Sequence, residues 1–337
     1  MKTVNAAVVG LGWFGEMHVR VLSQLSNVQL VAVCSRTASR AREVADKYGA
    51  RKTYTDWSKL AKDPDVDVVT VTTQIPDHRD PVIAAAEAGK AVFVEKPIAE
   101  NLKDADAMIS ATNRAGVPFM VGHILRFENR YAQAKQAITE GRMGSVVSIY
   151  ARRNVPLSFA RSHHGWGFPF IFEAIHDTDL MLWYLGRRVH SVYATVSAVA
   201  NADRPDNPDC GWAVYNFEGG AKGVCENVYV LRDNAPSFVD GRMEILGTEG
   251  AMYIDCAGEN GLLINDKNGT TRPETIHWPV MHGAVTGALR DEVEYWINCV
   301  AKDRKPEIIT PSDARYALEV VLAAENSARK NQIATLT

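Results

Sequence analysis

The hexapeptide Gly10-Leu11-Gly12-Trp13-Phe14-Gly15 limits what this chain can fold into more than any other segment. It follows the apolar run Val4–Val9 and opens a helical pattern over 14–25, so its glycines occupy a strand-to-helix turn. In a G-x-G-x-x-G turn the first glycine permits the sharp bend and the second lets backbone approach a pyrophosphate. The third lets helix and strand pack closely, and the helix amino terminus attracts the anion. A ligand-free β–α turn has the same local spacing. Position in the first βαβ unit of the chain points instead to a dinucleotide loop.

Residues 3–121 continue this alternation. Strands are predicted at Val28–Cys34, Val66–Thr72, Ala91–Val94 and Pro118–Val121, with helices at Ala38–Tyr48, Val82–Ala88 and Leu102–Asn113 between them. Such alternation implies parallel pairing, and right-handed crossovers leave chiefly the doubly wound topology. After Gly122 the pattern changes. One helix, Ala132–Ile138, precedes a series of longer strands at Val146–Arg152, Val189–Val199, Trp212–Phe217, Gly223–Leu231, Gly241–Leu246 and Ala251–Asp255. Val192, Ala194, Val196 and Ala198 alternate with Tyr193, Thr195 and Ser197, as in a strand with one buried face. Turns such as Glu218-Gly219-Gly220 make this second domain mainly antiparallel. Two helices close the chain, the last starting with Thr310 as N-cap, Pro311 at its first position and Asp313 in its first turn. The expected division is 1–122 and 123–337.

At 337 residues, two domains are the natural expectation. A hydrophobic content of 46% with 23% charged residues is that of an ordinary globular protein, and a net charge of −3 gives no reason to expect nucleic acid or an anionic membrane as partner. The five cysteines are scattered and form no C-x-x-C pair, which fits free thiols in a reducing compartment and no metal site. No apolar run reaches the roughly 18 residues of a membrane span. A cytoplasmic protein is expected.

The residue about 20 positions beyond the glycine loop commonly separates NAD from NADP. Here it is Ser35, followed by Arg36, with Thr37 and Arg40 nearby. No carboxylate stands at 34–36 to bind both ribose hydroxyls, whereas a hydroxyl and a guanidinium suit a 2′-phosphate. The expected cofactor is NADP or NAD, with NADP favoured. Solvated arginines are the alternative reading of Arg36 and Arg40.

Glu95-Lys96-Pro97 places two charges and a rigid turn at the carboxyl end of a buried strand, the edge where open α/β sheets bind ligands. Alcohol oxidation needs hydride departure and loss of the hydroxyl proton, a task for His or a desolvated Lys. As an ammonium, Lys96 would instead stabilise the developing alkoxide. His176 lies in Glu173-Ala174-Ile175-His176-Asp177-Thr178-Asp179, at the start of an apolar helix, with carboxylates three residues to either side able to orient an imidazole. A hydrogen-bonded core histidine is the alternative. The stretch 163–170, with His163 and Trp166, reads equally as a substrate-contacting lid or as loop packing. Arg152 and Arg153 read more readily as a solvated or subunit-facing strand edge than as an acid-binding pair.

Taken in order, these residues resemble the glucose–fructose oxidoreductase / inositol dehydrogenase (Gfo/Idh/MocA) family over essentially the whole chain. The set comprises Gly10–Gly15 with His18, then Thr73 and His78 before Gly89-Lys90, and Glu95-Lys96-Pro97. Val121-Gly122-His123 with Arg126-Phe127, His176 with Asp179, Gly247-Thr248-Glu249-Gly250 and the closing helix with Ala324–Ala328 complete it. The resemblance implies an N-terminal Rossmann domain with a doubly wound parallel sheet. It also implies an α+β C-terminal domain whose large open sheet mediates homo-dimers or homo-tetramers, and a carbohydrate or polyol substrate.

By the same resemblance Lys96 is the active-site lysine, Pro97 follows a cis peptide that orients it, and His176 is the acid/base. Motifs and resemblance together give a cofactor set of Gly10, Gly12, Trp13, Phe14, Gly15, Ser35, Arg36, Thr37, Arg40, Thr73, His78, Glu95 and Lys96. The substrate set is Lys96, Arg126, Glu173, His176, His163 and Trp166. Two departures stand out. Phe172 occupies the place, four residues before the histidine, where many members carry Asp, with Glu173 one position later. Thr73-Gln74 replaces the usual Thr-Pro, with proline delayed to Pro76. The expected activity is an NAD(P)-dependent dehydrogenase acting on a secondary alcohol of a sugar, glycoside or cyclitol. A glycoside-cleaving enzyme using NAD transiently and a non-catalytic ligand sensor are the alternatives.

Overall fold

A computed structural model of the chain describes residues 2–162, 169–257, 262, 264–266 and 269–336. They divide into two compact units, one of residues 1–127 and 276–315, the other of 128–275 and 316–337. The expected boundary at 122/123 therefore falls a few residues later, and 276–315, placed by order along the chain in the second domain, packs with the first. The reason is a single apolar helix face. Leu289, Val293, Trp296 and Ile297 of helix Ala288–Ala301 are buried, and that helix packs on helix Trp13–Gln24 and on the 3-10 turn Ile124–Phe127. Linear order carries no information about which sheet a returning helix covers.

The first unit alternates β1 (Val4–Val9), α1 (Trp13–Gln24), β2 (Val28–Cys34), α2 (Ala38–Tyr48), β3 (Lys52–Tyr54), α3 (Trp57–Ala61), β4 (Val68–Val71), α4 (Arg79–Glu87), β5 (Ala91–Glu95), α5 (Leu102–Ala115) and β6 (Phe119–Gly122). All strands are parallel, in the order β3-β2-β1-β4-β5-β6. β4, β5 and β6 are buried along their whole length, as strands of a parallel sheet covered by helices on both faces are. Helices α2 and α5 end at Gly49 and Gly116 in the left-handed conformation that glycine adopts without steric cost. β3 and α3 escape a reading of the sequence because Lys-Thr-Tyr is only half-buried and five residues are too few to show a helical period.

The second unit begins with α6 (Asn129–Thr139), β7 (Val146–Asn154), α7 (Leu157–Ser162) and α8 (Ile175–Leu185). Strands β8 (Val189–Ser197), β9 (Cys210–Phe217), β10 (Lys222–Val228), β11 (Asp240–Gly247) and β12 (Ala251–Asp255) follow. Two small hairpins come next, β13 (Ile264–Asp266) with β14 (Gly269–Thr271) and β15 (Val280–Met281) with β16 (Ala284–Val285), the latter in the first unit. Then come α9 (Ala288–Ala301), also in the first unit, α10 (Pro311–Lys330) and β17 (Ala334–Thr335). The large sheet runs β12-β11-β7-β10-β9-β8-β17 and is antiparallel except at β7–β10. Val192 and Ala194 point inward while Tyr193 and Thr195 face out, as their alternation requires. α10 starts with the anticipated cap: Asp313 N donates to Thr310 Oγ1 (3.1 Å) and Thr310 N to Asp313 Oδ2 (3.0 Å), a reciprocal capping box.

Candidate active site

The three glycines of the first loop differ in what surrounds them. Gly10 has φ +98°, and a Cβ there would lie 2.7 Å from the Thr72–Thr73 backbone. A Cβ on Gly15 would run into the Gly10 carbonyl oxygen, which Thr72 Oγ1 already approaches to donate a hydrogen bond (2.7 Å). Gly12 is the opposite case. It is the N-cap of α1, no side chain caps the first turn, and a Cβ would meet nothing within 4 Å. Bare amino-terminal N–H groups beside an open cradle are what a pyrophosphate needs. The residues present therefore fit a dinucleotide.

At the end of β2, Ser35 is half-buried and its Oγ accepts from Thr37 N (3.3 Å), while Arg36 is exposed. Arg40 does not join them. Its Nε donates to the Leu11 carbonyl (3.0 Å), and its Nη groups bond Glu43 and Glu16. Arg40, expected as a phosphate ligand, here braces the glycine loop from behind. Glu16 is the hub of that brace, also accepting from Lys47 (2.7 Å) and Tyr48 (2.8 Å). The Lys47 bond, with those from Arg40 and Tyr48, outweighs the opposing effect of burial and holds the Glu16 carboxyl at about 2.

β1, β4 and β5 are neighbours in register, Val9 opposite Val71 and Val71 opposite Val94, so their carboxyl ends form one edge. Sheet order reverses between β1 and β4, and this is the crevice where open α/β sheets bind ligands. Lys96 stands on that edge, half-buried, and the Lys96–Pro97 bond is cis. Glu95 and His78, both expected to touch cofactor, turn inward instead. The Glu95 carboxylate lies 2.8 Å from His18 Nε2 and accepts from Lys96 N (3.1 Å); a side chain on Gly122 would collide with it. Glu95 thus ties the lysine turn to the helix that starts at the glycine loop.

His78 is fully buried, with Nε2 3.1 Å from the Thr73 carbonyl and Nδ1 3.3 Å from that of Ile98, so it spans the loops after β4 and β5. Burial lowers its pKa, against the two carbonyl contacts, which act the other way. Thr73 leads into a short 3-10 turn, Ile75–Asp77, where Pro76 occupies an early position that needs no N–H. Arg126, expected at the substrate, is buried and donates to the Ile308 carbonyl (2.6 Å), with Asp313 3.5 Å away. It ties the turn after β6 to the segment leading into α10.

In the second unit, His176 is half-buried on the first turn of α8. A π-helical turn, Phe170–Ala174, runs into α8 and carries Phe172 and Glu173. Glu173 is buried, and its charge is felt by Arg153 and Tyr229. Asp179 is buried as well.

Arg153 and Asp177 form a buried bidentate pair, Nε–Oδ2 3.0 Å and Nη2–Oδ1 2.9 Å, which pins the His176 turn to β7. Burial opposes the Arg153 charge, but Asp177, Tyr131 and Glu173 together raise its pKa well above the usual value. Arg153 is therefore no exposed strand edge. Its partner was hidden because a buried arginine and a solvated one look alike in a sequence. Arg152 bonds Asp240 (2.9 Å). His163 and Trp166 lie outside the described residues.

All five cysteines are free. Among the described residues no cluster of His, Cys, Asp and Glu is placed to hold a metal ion, and no helix is long and apolar enough to cross a membrane.

Residues 4–123 match the family model described as an oxidoreductase family with an NAD-binding Rossmann fold, and 131–253 match the GFO/IDH/MocA C-terminal domain. The chain is 30% identical over 330 residues to a myo-inositol 2-dehydrogenase of Thermotoga maritima, covering 96% of each protein. It is 31% identical over 333 residues to a scyllo-inositol 2-dehydrogenase (NAD(+)) of Bacillus subtilis, covering 97% of this chain and 94% of that one. The crystal structure of a probable dehydrogenase from Thermotoga maritima superposes with a TM-score of 0.84 at 27% identity over 98% of both chains.

Proposed function

The chain belongs to the Gfo/Idh/MocA oxidoreductase family, and from that premise we propose that it is a nicotinamide-dependent dehydrogenase acting on a secondary alcohol, or the matching ketone, of an inositol-like polyol or a sugar. The observation that carries this reading is the shared edge of β1, β4 and β5. The open Gly12 cradle and Lys96 both belong to it. Similarity to two inositol dehydrogenases supports the polyol class.

When bound, the nicotinamide supplies the hydride acceptor or donor. Gly10, Gly12, Gly15 and the first turn of α1 hold the pyrophosphate. Ser35 and Arg36 bond a 2′-phosphate, so NADP is the preferred form; with Arg40 occupied elsewhere, the preference rests on these two residues alone. Lys96 donates a hydrogen bond to the reacting oxygen and steadies its alkoxide character, and His176 takes or returns the hydroxyl proton. Glu95, His18 and His78 keep the lysine turn in place, and Arg153–Asp177 does the same for the His176 turn.

The protein works as a homo-oligomer through the open face of its large sheet. There Tyr253, Glu244, Tyr150, Val224, Val214 and Tyr193 align across neighbouring strands, with Tyr253 71% exposed. Sedimentation showing a monomer at micromolar concentration would remove that part. The central test is a cofactor-reduction screen against inositols, sugars and glycosides with both cofactors, run beside Lys96→Ala. Turnover should fall by orders of magnitude while dinucleotide affinity changes little. Turnover retained in Lys96→Ala would refute the assignment.

A further inference from the structure

Residues 276–288 form a closed strap within the first unit. Its ends meet at the start of α9, where Ala288 N donates to the Ile276 carbonyl (3.1 Å) and Leu289 N to that of His277 (2.8 Å). Gly287, at φ +79°, makes the closure possible, since a Cβ there would run into the Ile276 carbonyl oxygen. The middle of the strap is the β15–β16 hairpin, turned by His282 (φ 51°) and Gly283 (φ 84°), the two positive φ values of a type I′ turn.

The hairpin is hung on α1. The Gly283 carbonyl accepts from Arg20 Nη2 (3.0 Å) and Gln24 Nε2 (3.2 Å), and Val285 N donates to Gln24 Oε1 (2.9 Å). Residues 13, 17, 20 and 24 lie on one face of a helix. The face that carries the strap is therefore the face of Trp13, the first residue after Gly12. The strap lays Trp278 there, edge-on to Trp13 (ring centroids 5.5 Å, 77°) and to Phe14 (5.5 Å, 70°). Trp13 nevertheless stays 64% exposed, on the helix turn where Gly12 opens onto empty space. A held indole that keeps most of its surface free beside an anion cradle is a wall awaiting a ligand.

We propose that the 276–288 strap is part of the dinucleotide site: Trp278 fixes the Trp13 ring, and Trp13 packs against the bound cofactor where its pyrophosphate crosses the start of α1. This rests on the dinucleotide reading of the glycine loop. Trp278 is a positioning residue that acts through Trp13, and the hairpin anchors at Arg20 and Gln24 are what hold it. The strap slows cofactor release, leaving the chemistry at Lys96 unaltered.

The test is equilibrium and stopped-flow binding of NAD and NADP to the full chain, read by calorimetry and by tryptophan fluorescence. Trp278→Ala should raise the dissociation constant about tenfold, the order of an edge-to-face aromatic contact, with the change in the off-rate. Trp278→Phe should restore affinity to within about twofold. Gln24→Ala, which loosens the strap without removing a ring, should weaken binding in the same direction even if Trp278→Ala fails to fold. Unchanged dissociation constants in Trp278→Ala, or in Gln24→Ala should that variant alone be folded, would overturn the strap. A parent protein that binds neither dinucleotide would instead refute the reading of the glycine loop.

Discussion

Removing Asp177 tests how the His176 turn is seated. The Arg153 and Asp177 side chains are 5% and 2% exposed, and both Asp177 oxygens are taken by the guanidinium. Asp177→Ala leaves Arg153 buried, with Tyr131 Oη at 3.5 Å as a remaining hydrogen-bond partner and the more distant Glu173 charge. Breaking a buried pair in this way costs about 3–5 kcal/mol. Natural proteins hold only about 5–15 kcal/mol in all, so the loss is a large fraction of the total. With a urea dependence of about 2 kcal/mol per molar, the unfolding midpoint should fall by roughly 1.5–2.5 M.

The double variant Arg153→Met with Asp177→Leu removes both charges and keeps the volume filled. Its unfolding free energy should return to within about 1 kcal/mol of the parent, because apolar replacement of a buried pair is often neutral. Urea denaturation followed by far-UV circular dichroism measures all three proteins. A cost below about 1 kcal/mol for Asp177→Ala would refute the reasoning, since the stranded guanidinium would then have found water.

Other perturbations separate folding from binding. Gly12→Ala should fold within about 1 kcal/mol of the parent, the scale of a poorer N-cap, while dinucleotide affinity falls at least tenfold; normal binding by calorimetry would contradict the open-cradle reading. Gly15→Ala should instead lose thermal stability, because its Cβ collides with the Gly10 carbonyl. Ser35→Asp with Arg36→Ile should shift the ratio of NADP to NAD affinity towards NAD, and an unchanged ratio would remove those residues from the 2′-phosphate site. Glu16 has a folded pKa of about 2 against an ordinary 4.5, so its stabilisation is fully present above about pH 4.5 and is lost as pH falls towards 2. Glu16→Gln should flatten that part of a stability–pH curve, and an identical slope in both proteins would deny the Lys47–Arg40–Tyr48 brace.

Much of the first unit can be read from residues close together in the chain. Strand and helix periods, helix-ending glycines and the capping box of α10 are local properties, set by φ preferences and by which face of a short segment is apolar. The glycine loop belongs to the same class: its need for φ +98° at Gly10 follows from the turn itself. β3 was missed because a three-residue edge strand with half-buried side chains has no period to detect.

Partner choice is another matter. Arg40 is as suitable for a phosphate as for Glu16, Arg126 as suitable for a substrate as for the Ile308 carbonyl, and Arg153 as suitable for solvent as for Asp177. These contacts span 24, 182 and 24 residues of sequence. Which is made depends on how helices and sheets pack, and a charged side chain carries no mark of its burial. By itself, the sequence determined the alternating sheet, the dinucleotide loop and the placing of Lys96 at a strand end, because each follows from local backbone geometry. Only the tertiary structure decided that Arg40 meets Glu16, Glu95 meets His18, His78 meets the Thr73 and Ile98 carbonyls and Arg126 that of Ile308, and that a strap from residues 276–288 reaches Trp13, because those contacts are set by long-range packing.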